Sequence, residues 1–278
     1  MFFFYIMKLS IIGLGFVGSA IQNSVLQKGF VIDDNLFVYD KYKQGGVGSL
    51  EKCLCSDILF LCLPTLFDPS TNQYDKSAII ECSEALTAHG YKGTVILKST
   101  VEPQTTDQLS QQFPMLRYLH NPEFLTARTA NEDFHNQSHV VLGKPASQSN
   151  NIFEMAVQFY TTYYPSARIS TCSSLESESM KIFCNTFYSV KVQFFTELYE
   201  LCQKNGTDYN VVRNLMLSNN WIHPMHTVIP GPDGNISYGG ACFPKDSNAL
   251  LEYMKKMNTP HALLEASIDE RNQMRTDH

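Results

Sequence analysis

The chemistry of this chain is most visible around one cysteine near its C-terminal end. Cys242 stands in the string Gly239-Gly240-Ala241-Cys242-Phe243-Pro244-Lys245-Asp246. Paired glycines let a backbone approach a ligand closely, and a nearby lysine favours the thiolate, which is the form that attacks carbon. Asp246, four residues on, is a candidate to orient a water molecule or to accept a proton. The string therefore predicts covalent catalysis through sulfur.

A second pattern, near the N-terminus, predicts a dinucleotide site. The apolar run Lys8-Leu9-Ser10-Ile11-Ile12 leads into Gly13-Leu14-Gly15-Phe16-Val17-Gly18 and then into an amphipathic helical pattern. In this Gly-x-Gly-x-x-Gly fingerprint the first glycine makes the turn, the second admits a pyrophosphate and the third lets the helix pack on the strand. The next strand ends at Asp40, whose carboxylate would bind a ribose hydroxyl and repel a 2′-phosphate. NAD is therefore expected in preference to NADP.

Length and composition narrow the class of protein. The 278 residues suffice for one large or two ordinary domains, and the 17% charged residues are typical of a globular protein. The net charge of −6 offers no basic surface for nucleic acid. The eight cysteines lack Cys-x-x-Cys spacing, so no metal site is predicted, and scattered thiols suit a reducing cytoplasm. The apolar opening at residues 1–6 is too short to cross a membrane.

Alternating strand and helix signals predict the fold of the first 172 residues. Near-continuous apolar runs, separated by helical patterns, lie at 8–12, 36–39, 57–63, 94–100, 116–119, 139–142 and 167–170. Such runs are typical of parallel strands that are buried on both faces. We therefore predict an α/β fold in which a Rossmann-type doubly wound parallel sheet forms an NAD-binding domain, residues 1–172.

The pattern changes at residue 173. From Ser173 to Lys204 the chain has no glycine or proline, and Asn205-Gly206 supplies a helix C-cap. We predict one long connecting helix and a smaller all-helical domain, which together span residues 173–278. The phenylalanines at 183, 187, 194 and 195 exceed what one small domain is expected to bury, so a homodimer through the long helix is predicted.

Two polar residues lie on this predicted helix among apolar neighbours. Lys181 and Asn185 are four residues apart and share a face, and Glu178 precedes Lys181 by one turn. Taken alone, the spacing has two interpretations. Either Lys181 extends to solvent while Asn185 bonds backbone, or the two side chains line a polar site with partners of their own.

Six motifs in a fixed order resemble the UDP-glucose/GDP-mannose dehydrogenase family. They are the glycine fingerprint, Leu63-Pro64-Thr65, Lys98-Ser99-Thr100-Val101, Asn121-Pro122-Glu123-Phe124-Leu125, Glu178-x-x-Lys181-x-x-x-Asn185 and the cysteine string. The resemblance extends from Lys8 to about Met274. It implies oxidation of the C6 alcohol of a nucleotide sugar to a carboxylate with two NAD per sugar, and it favours UDP-glucose as the substrate.

The resemblance also implies a role for each matching residue. Cys242 would capture the intermediate aldehyde as a thiohemiacetal, and a second hydride transfer would give a thioester, while Lys181 and Asn185 would steady the oxyanion. The residues implied to handle water and protons are Asp246, Glu123 and Thr100. The implied cofactor contacts are Gly13, Gly15, Phe16, Val17, Gly18, Asp40, Pro64, Thr65, Ser99, Thr100 and Lys245. The implied substrate contacts are Glu123, Phe124, Leu125, Lys181, Asn185, Gly231, Gly234, Asn235, Tyr238 and Gly239.

Three departures from the family pattern matter for function. Ala127 stands where the family often has a second glutamate that touches cofactor and substrate. The loop at 231–238 is longer than usual and has Ser237 at a common glycine position. The chain stops near the end of the family's central domain, so the resemblance implies a short form without the third domain. Nucleotide recognition would then come from the loop at 221–238, a partner subunit or a separate chain.

Two other functions stay open at this point. A 3-hydroxyisobutyrate dehydrogenase-like reductase has a similar length, the same fingerprint and a Lys-x-x-x-Asn helix, but it performs one oxidation and needs no cysteine. A catalytically impaired NAD-binding partner protein is the second alternative. The six retained catalytic candidates argue against that alternative, whereas the missing third domain argues for it.

Overall fold

Strands and helices alternate along the chain in the computed structural model, which describes residues 6–277. The strands are β1 (Leu9–Ile12), β2 (Leu36–Asp40), β3 (Val47–Gly48), β4 (Ile58–Leu61), β5 (Phe67–Asp68), β6 (Gln73–Tyr74), β7 (Thr94–Leu97), β8 (Arg117–His120), β9 (His139–Lys144) and β10 (Arg168–Ser173). The α-helices are α1 (Phe16–Gln27), α2 (Leu50–Cys53), α3 (Ser77–Ala88), α4 (Thr105–Gln112), α5 (Ala130–His135), α6 (Phe153–Tyr163), α7 (Ser174–Asn205), α8 (Tyr209–Leu217), α9 (Phe243–Lys256) and α10 (Ala262–Met274).

Eight strands form one sheet in the order β10-β9-β8-β7-β4-β1-β2-β3. Strand β1 is parallel to β2 and β4, and β7 is parallel to β4 and β8. At the margins, β3 is antiparallel to β2 and β9 is antiparallel to β8, while β10 runs parallel to β9. The predicted α/β fold is confirmed. The reversed direction of β9 was not predicted, because an apolar run has the same pattern in either direction.

Side chains of the central strands alternate between two apolar layers. Leu9 of β1 is fully buried in a layer that also contains Ile21 of α1. Ile12 of the same strand lies in a second layer, with Ile79 of α3 and Leu109 of α4. Burying one such side chain contributes about 1.5–3 kcal/mol. Helices therefore cover both faces of the sheet, which is the doubly wound arrangement that the sequence predicted.

Helix α7 confirms the long helix predicted from the glycine- and proline-free stretch. It has 32 residues and is therefore about 48 Å long at 1.5 Å per residue. The helix ends where Gly206 adopts a φ of +70°, a left-handed conformation that only glycine reaches without steric cost. Lys204 in the last turn complements the helix dipole.

The described chain divides into two compact units. The first unit contains residues 6–65 and 75–181, including the large sheet, and the second contains residues 66–74 and 182–277. Helix α7 contributes residues to both. Besides helices, the second unit contains the β5–β6 hairpin, which the sequence patterns did not predict because strands of two residues show no periodicity. The proposed domain division at residues 172 and 173 stays a prediction.

The hairpin belongs to the core of the second unit. Tyr74, at the end of β6, is 3% exposed and packs in one apolar cluster with Ile182 of α7, Leu250 of α9 and Ile268 of α10. The segment 66–74 is thus separated in sequence from the helices that it stabilises. Within residues 6–277, every helix is too short or too polar to span a membrane.

Candidate active site

The glycine fingerprint forms a tight turn between β1 and α1. Gly13 has a φ of +90°, and a side chain there would overlap the carbonyl oxygen of Cys62. A side chain at Gly18 would overlap the carbonyl oxygen of Gly13, whereas a Cβ on Gly15 would meet no other part of residues 6–277 within 4 Å. The three glycines thus match the turn, the open approach and the close helix packing that the fingerprint predicts. Helix α1 begins at Phe16-Val17, beside the open position.

Asp40 ends β2, as predicted, and its carboxylate is tied to the fingerprint. Its Oδ2 accepts a hydrogen bond from the Leu14 N–H at 2.6 Å, and its Oδ1 accepts from the N–H groups of Tyr42 and Lys43 at 2.9 Å. Burial would raise the pKa of Asp40, but these donors and the charge of Lys43 hold that pKa below its ordinary value. Asp40 is therefore an anion at neutral pH, which suits a ribose hydroxyl and disfavours a 2′-phosphate.

A cavity of about 610 Å³ lies beside the fingerprint in the first unit. Gly15, Phe16, Lys43, Ala127 and Arg128 are among the residues that line it. Two cationic side chains next to a helix N-terminus suit the two phosphates of a dinucleotide, so the residues present fit NAD. Arg128 was not predicted, since nothing in its local sequence marks it. Ala127, at the departure from the family pattern, lines this cavity with a methyl group in place of a carboxylate.

Two further cofactor candidates follow β4 and β7 and are hydrogen-bonded to one another's loops. The Thr65 hydroxyl donates to the Thr100 carbonyl oxygen at 2.7 Å, and the Ser99 hydroxyl donates to the Leu63 carbonyl oxygen at 2.6 Å. Pro64 lies between the two bonded residues of the first loop. The carboxyl ends of neighbouring parallel strands therefore bring these predicted cofactor residues together.

Lys181 and Glu123 form a buried ion pair in the first unit. The Lys181 Nζ lies 3.0 Å from Glu123 Oε1, and the two side chains are 6% and 12% exposed. Glu123 Oε2 accepts from the Leu125 N–H at 2.5 Å, and Lys181 Nζ lies 5.7 Å from the centre of the Phe124 ring. The interpretation in which Lys181 extends to solvent is wrong. The ammonium group of Lys181, from the helix motif, instead contacts Glu123 and Phe124 of the Asn-Pro-Glu-Phe-Leu motif.

A second buried lysine, Lys98, was not assigned a role by the sequence. It is 2% exposed, and its Nζ donates to Asn121 Oδ1 at 2.8 Å. Burial lowers the pKa of Lys98 to about 8. The side chain lines a cavity of about 560 Å³ together with Glu123 and Phe124. A lysine directly after the apolar run of β7 was the available signal, because a charged residue at the end of a buried strand needs a partner.

In the second unit, Asp246 is the centre of a hydrogen-bonded cluster. Asp246 is fully buried and accepts from the Tyr74 hydroxyl, from Asn185 Nδ2 at 2.6 Å and from Lys245 Nζ at 2.5 Å. Lys245 also lies 4.6 Å from the centre of the Tyr74 ring. Three donors stabilise a buried carboxylate that would otherwise be costly. Tyr74 was not predicted, because it lies 172 residues from Asp246 in sequence.

Cys242 occupies the N-cap position of α9 and is exposed. Its carbonyl oxygen accepts from the Asp246 N–H at 2.9 Å, which closes the first turn of the helix. Pro244 stands in that turn, where its missing N–H costs nothing. A helix N-terminus stabilises a thiolate relative to a thiol. The sequence string around Cys242 thus folds into a setting that suits a sulfur nucleophile.

The loop before Cys242 is held by residues of α7 and α10 in the second unit. Ser237 has a φ of +61°, and its hydroxyl donates to Gln193 Oε1 at 2.5 Å. Arg271, which is 2% exposed, donates from Nε to the Tyr238 carbonyl oxygen at 3.1 Å. These bonds explain how a serine stands at a common glycine position, since they offset the strain of a left-handed residue. The Arg275 guanidinium lies against Gly239.

The predicted substrate glycines of this loop form a compact turn. The Gly231 N–H donates to the Asn235 carbonyl oxygen at 2.8 Å, and the Gly234 N–H donates to the Gly231 carbonyl oxygen at 2.9 Å. Tyr238 is 2% exposed, and burial raises its pKa. Within residues 6–277, no group of three or more His, Cys, Asp and Glu side chains is arranged to hold a metal ion.

The fold and the fingerprint place the chain in the class of NAD-dependent dehydrogenases. Residues 47–164 match the model of the NAD binding domain of the UDP-glucose/GDP-mannose dehydrogenase family, and residues 175–273 match the model of its central domain. The chain belongs to the UDP-glucose/GDP-mannose dehydrogenase family. NAD is accordingly the cofactor that its N-terminal part binds.

Curated relatives carry the names of UDP-glucose 6-dehydrogenases. The chain is 27% identical over 221 residues to that of Rhizobium meliloti, covering 77% of this chain and 49% of the relative. It is 25% identical over 295 residues to that of Campylobacter jejuni, covering 97% of this chain and 72% of the relative. The chain thus spans about half the length of the first of these relatives.

Solved structures share the fold. A UDP-glucose dehydrogenase from Pyrobaculum islandicum has a TM-score of 0.81 at 20% identity, covering 97% of this chain and 68% of that one. A 3-hydroxyisobutyrate dehydrogenase from Mycobacterium tuberculosis has a TM-score of 0.74 at 15% identity, covering 97% and 94%. At such identities these likenesses show the fold alone, and both proteins share it. The choice between their activities therefore depends on the site residues.

Proposed function

We propose that this protein is a nucleotide-sugar dehydrogenase that oxidises the C6 alcohol of a UDP-sugar to the carboxylate in two NAD-dependent steps. The observation that carries the proposal is Cys242, an exposed thiol at the N-cap of α9, directly before the buried Asp246 cluster. A cysteine nucleophile allows two successive oxidations at one carbon through a covalent intermediate, whereas a single-step reductase has no use for such a nucleophile. UDP-glucose is the favoured substrate, because it is the sugar nucleotide in the names of the curated relatives.

The chain's residues divide the chemistry between them. NAD, when bound, supplies the acceptor for one hydride in each oxidation. The Cys242 thiolate adds to the C6 aldehyde that the first oxidation produces, and the carbonyl oxygen becomes an alkoxide that Lys181 and Asn185 stabilise. Loss of the second hydride from the same carbon leaves a thioester on Cys242.

Hydrolysis of that thioester completes the proposed reaction. Glu123 and Thr100 orient and deprotonate a water molecule, which attacks the thioester carbon. The carbon–sulfur bond breaks, the Cys242 thiolate is restored and the carboxylate product leaves. Asp246 holds the amide of Asn185 through a 2.6 Å hydrogen bond, so it acts on the oxyanion through Asn185.

Reaction stoichiometry tests the proposal directly. We expect two NADH per UDP-glucose consumed, loss of turnover after treatment with iodoacetamide, and no turnover with 3-hydroxyisobutyrate. A 3-hydroxyisobutyrate dehydrogenase-like reductase would instead yield one NADH per substrate and would tolerate iodoacetamide. A thermal-shift screen of nucleotide sugars with NAD present identifies the best ligand, because a selective ligand raises the apparent stability. An NAD-binding partner protein would bind NAD but would produce no NADH with any sugar nucleotide that the screen identifies.

We further propose a homodimer through α7. Phe183, Phe187, Phe194 and Leu201 are each 52–62% exposed, and their spacing places them on one stripe of the helix. Such a stripe of large apolar side chains is typical of an interface. The sequence also predicted Phe195 to belong to this surface. The structure shows that Phe195 is 3% exposed and lies in the core of the second unit.

The dimer predicts a concentration-independent mass at micromolar protein. We expect sedimentation equilibrium to give twice the chain mass for the wild type and a shift toward monomer for Phe187→Glu, because a charge at the centre of an apolar interface is desolvated without a partner. Leu263→Glu on α10 is the matched control, since Leu263 is 75% exposed and outside the stripe. A wild type that sediments as a monomer would contradict the proposal.

A cytoplasmic location is also part of the proposal. It is supported by the eight cysteines, whose scattered spacing suits a reducing compartment, and by the absence of a membrane-spanning helix within residues 6–277.

A further inference from the structure

Glu178, the first residue of the helix motif, has no role in the mechanism above. It is fully buried in the first unit, and each of its carboxylate oxygens accepts hydrogen bonds from another element. Oε2 accepts from the Gln104 N–H at 2.7 Å, while Oε1 accepts from the Thr106 N–H at 2.7 Å and from the Thr106 hydroxyl at 2.5 Å. The carboxylate of α7 therefore caps the N-terminus of α4, whose first N–H groups have no partner within that helix.

These bonds join two parts of the candidate site. Gln104 ends the loop that begins after β7 and carries Ser99 and Thr100, and it has a φ of +81°. Lys181 lies one helical turn beyond Glu178 on α7, where it meets Glu123. A single buried side chain thus spans from the loop of Thr100 to the helix of Lys181.

Two neighbouring contacts hold the same stretch of α7. The Ser174 hydroxyl donates to Asp107 Oδ2 of α4 at 2.6 Å, and the Ser177 hydroxyl lies 2.8 Å from His120 Nδ1 of β8. Burial lowers the pKa of His120 to about 3, so that ring is neutral. Asp107 is thus the charged group that faces Glu178 from α4, and β8 adds no charge through His120.

We propose that Glu178 is a positioning residue that holds the Ser99–Thr100 loop in register with Lys181. Its catalytic consequence rests on the proposed function, whereas its effect on the cofactor loop does not. Only the ionised carboxylate accepts all three hydrogen bonds. A protonated Glu178 would present a hydroxyl to a site that contains two backbone N–H donors, so at least one bond would be lost.

The proposal predicts that stability, activity and cofactor affinity depend on pH through the protonation of Glu178. Burial raises the pKa of Glu178 from an ordinary 4.5 to about 7, against the donors of Thr106 and Gln104, which lower it. The folded protein therefore keeps this proton at pH values where the unfolded chain has lost it. Stability contributed by Glu178 consequently declines as pH rises from about 4.5 to about 7. The loop is held best above that interval, so activity and cofactor affinity rise while stability falls.

The experiment compares Glu178→Gln with Glu176→Gln. Glu176 is a matched control, because it is exposed, stands two residues before Glu178 in the first turn of α7 and accepts hydrogen bonds from Ser173 just before its own helix. We measure the NAD dissociation constant, kcat and KM, and the thermal midpoint from pH 5 to pH 8.5. For Glu178→Gln we expect NAD affinity to fall about threefold and kcat about tenfold at pH 8, with KM for the sugar nucleotide little changed. Both pH trends should flatten, while Glu176→Gln follows the wild type.

Thr106→Val is a second variant, which tests the proposal if Glu178→Gln does not fold. It removes only the hydroxyl donor and keeps the backbone bonds to Glu178, so we expect a smaller loss in the same direction and a pH midpoint displaced upward. If the protein shows no turnover, the NAD titrations alone test the positioning of the loop. A folded Glu178→Gln whose NAD affinity, kcat and pH trends match Glu176→Gln would overturn the proposal, even if its thermal midpoint were lower.

Discussion

Replacing Cys242 by serine is expected to abolish formation of the carboxylate product while leaving NAD and sugar nucleotide bound. A serine hydroxyl at the N-cap of α9 fills nearly the same volume, and serine is a preferred N-cap residue, so the fold should be unaffected. The hydroxyl is far less nucleophilic than the thiolate at neutral pH. The first oxidation does not formally need sulfur, so slow aldehyde formation or a stalled ester adduct is expected to remain.

Product analysis by mass spectrometry, with binding measured by calorimetry, checks this result. Cys55→Ser is the matched control, because Cys55 is the other exposed cysteine identified within residues 6–277 and lies far from α9 in sequence. Near-normal steady-state production of the acid by Cys242→Ser would refute the covalent mechanism. That result would favour the single-oxidation reductase function, because the chain also shares the fold of a 3-hydroxyisobutyrate dehydrogenase.

Removing the charge of Lys181 is expected to slow the chemical steps by about 10²-fold or more, the scale of losing one oxyanion donor. Lys181→Met keeps most of the side-chain volume, so the loss reports charge and hydrogen bonding rather than a cavity. The change also removes the ion-pair partner of Glu123, which lies 3.0 Å away. The Glu123 side chain is only 12% exposed, so its charge is poorly solvated without Lys181. Breaking a buried ion pair costs about 3–5 kcal/mol of stability.

A double variant separates these two effects. Lys181→Met combined with Glu123→Gln removes the unpaired charge, so thermal stability should recover. Single-turnover hydride transfer, which precedes the hydrolysis assigned to Glu123, should stay as slow as in Lys181→Met and slower than in Glu123→Gln alone. Lys204→Met, at the exposed end of the same helix, should leave the rate unchanged and lower the stability by no more than about 1 kcal/mol, the scale of one exposed charge at a helix end. Recovery of the rate together with stability would show that Lys181 supports the fold and does no chemistry.

Prediction from sequence worked best where the structure of a segment depends only on residues within that segment. The run without glycine or proline from 173 to 204 predicted α7 to within one residue at each end, because helix formation depends on local propensity and on the cap at Gly206. Helix α10 was missed, because its apolar residues do not gather on one face: Leu263 is 75% exposed and Leu264 is 6% exposed.

The order of the motifs along the chain was enough to identify the family, because it depends on residue types and not on their contacts. It also assigned Lys181 and Glu123 to one predicted site, and that assignment stays a prediction. Their direct contact, the capping of α4 by Glu178 and the bond from Tyr74 to Asp246 were decided only by the tertiary structure. The residues in contact are far apart in sequence. Lys181 and Glu123 are separated by 58 positions, Glu178 and Thr106 by 72, and Tyr74 and Asp246 by 172. Local periodicity has no information on such pairs, because burial is what selects the partner: a charged or polar group withdrawn from water must find a donor or acceptor wherever the fold supplies one.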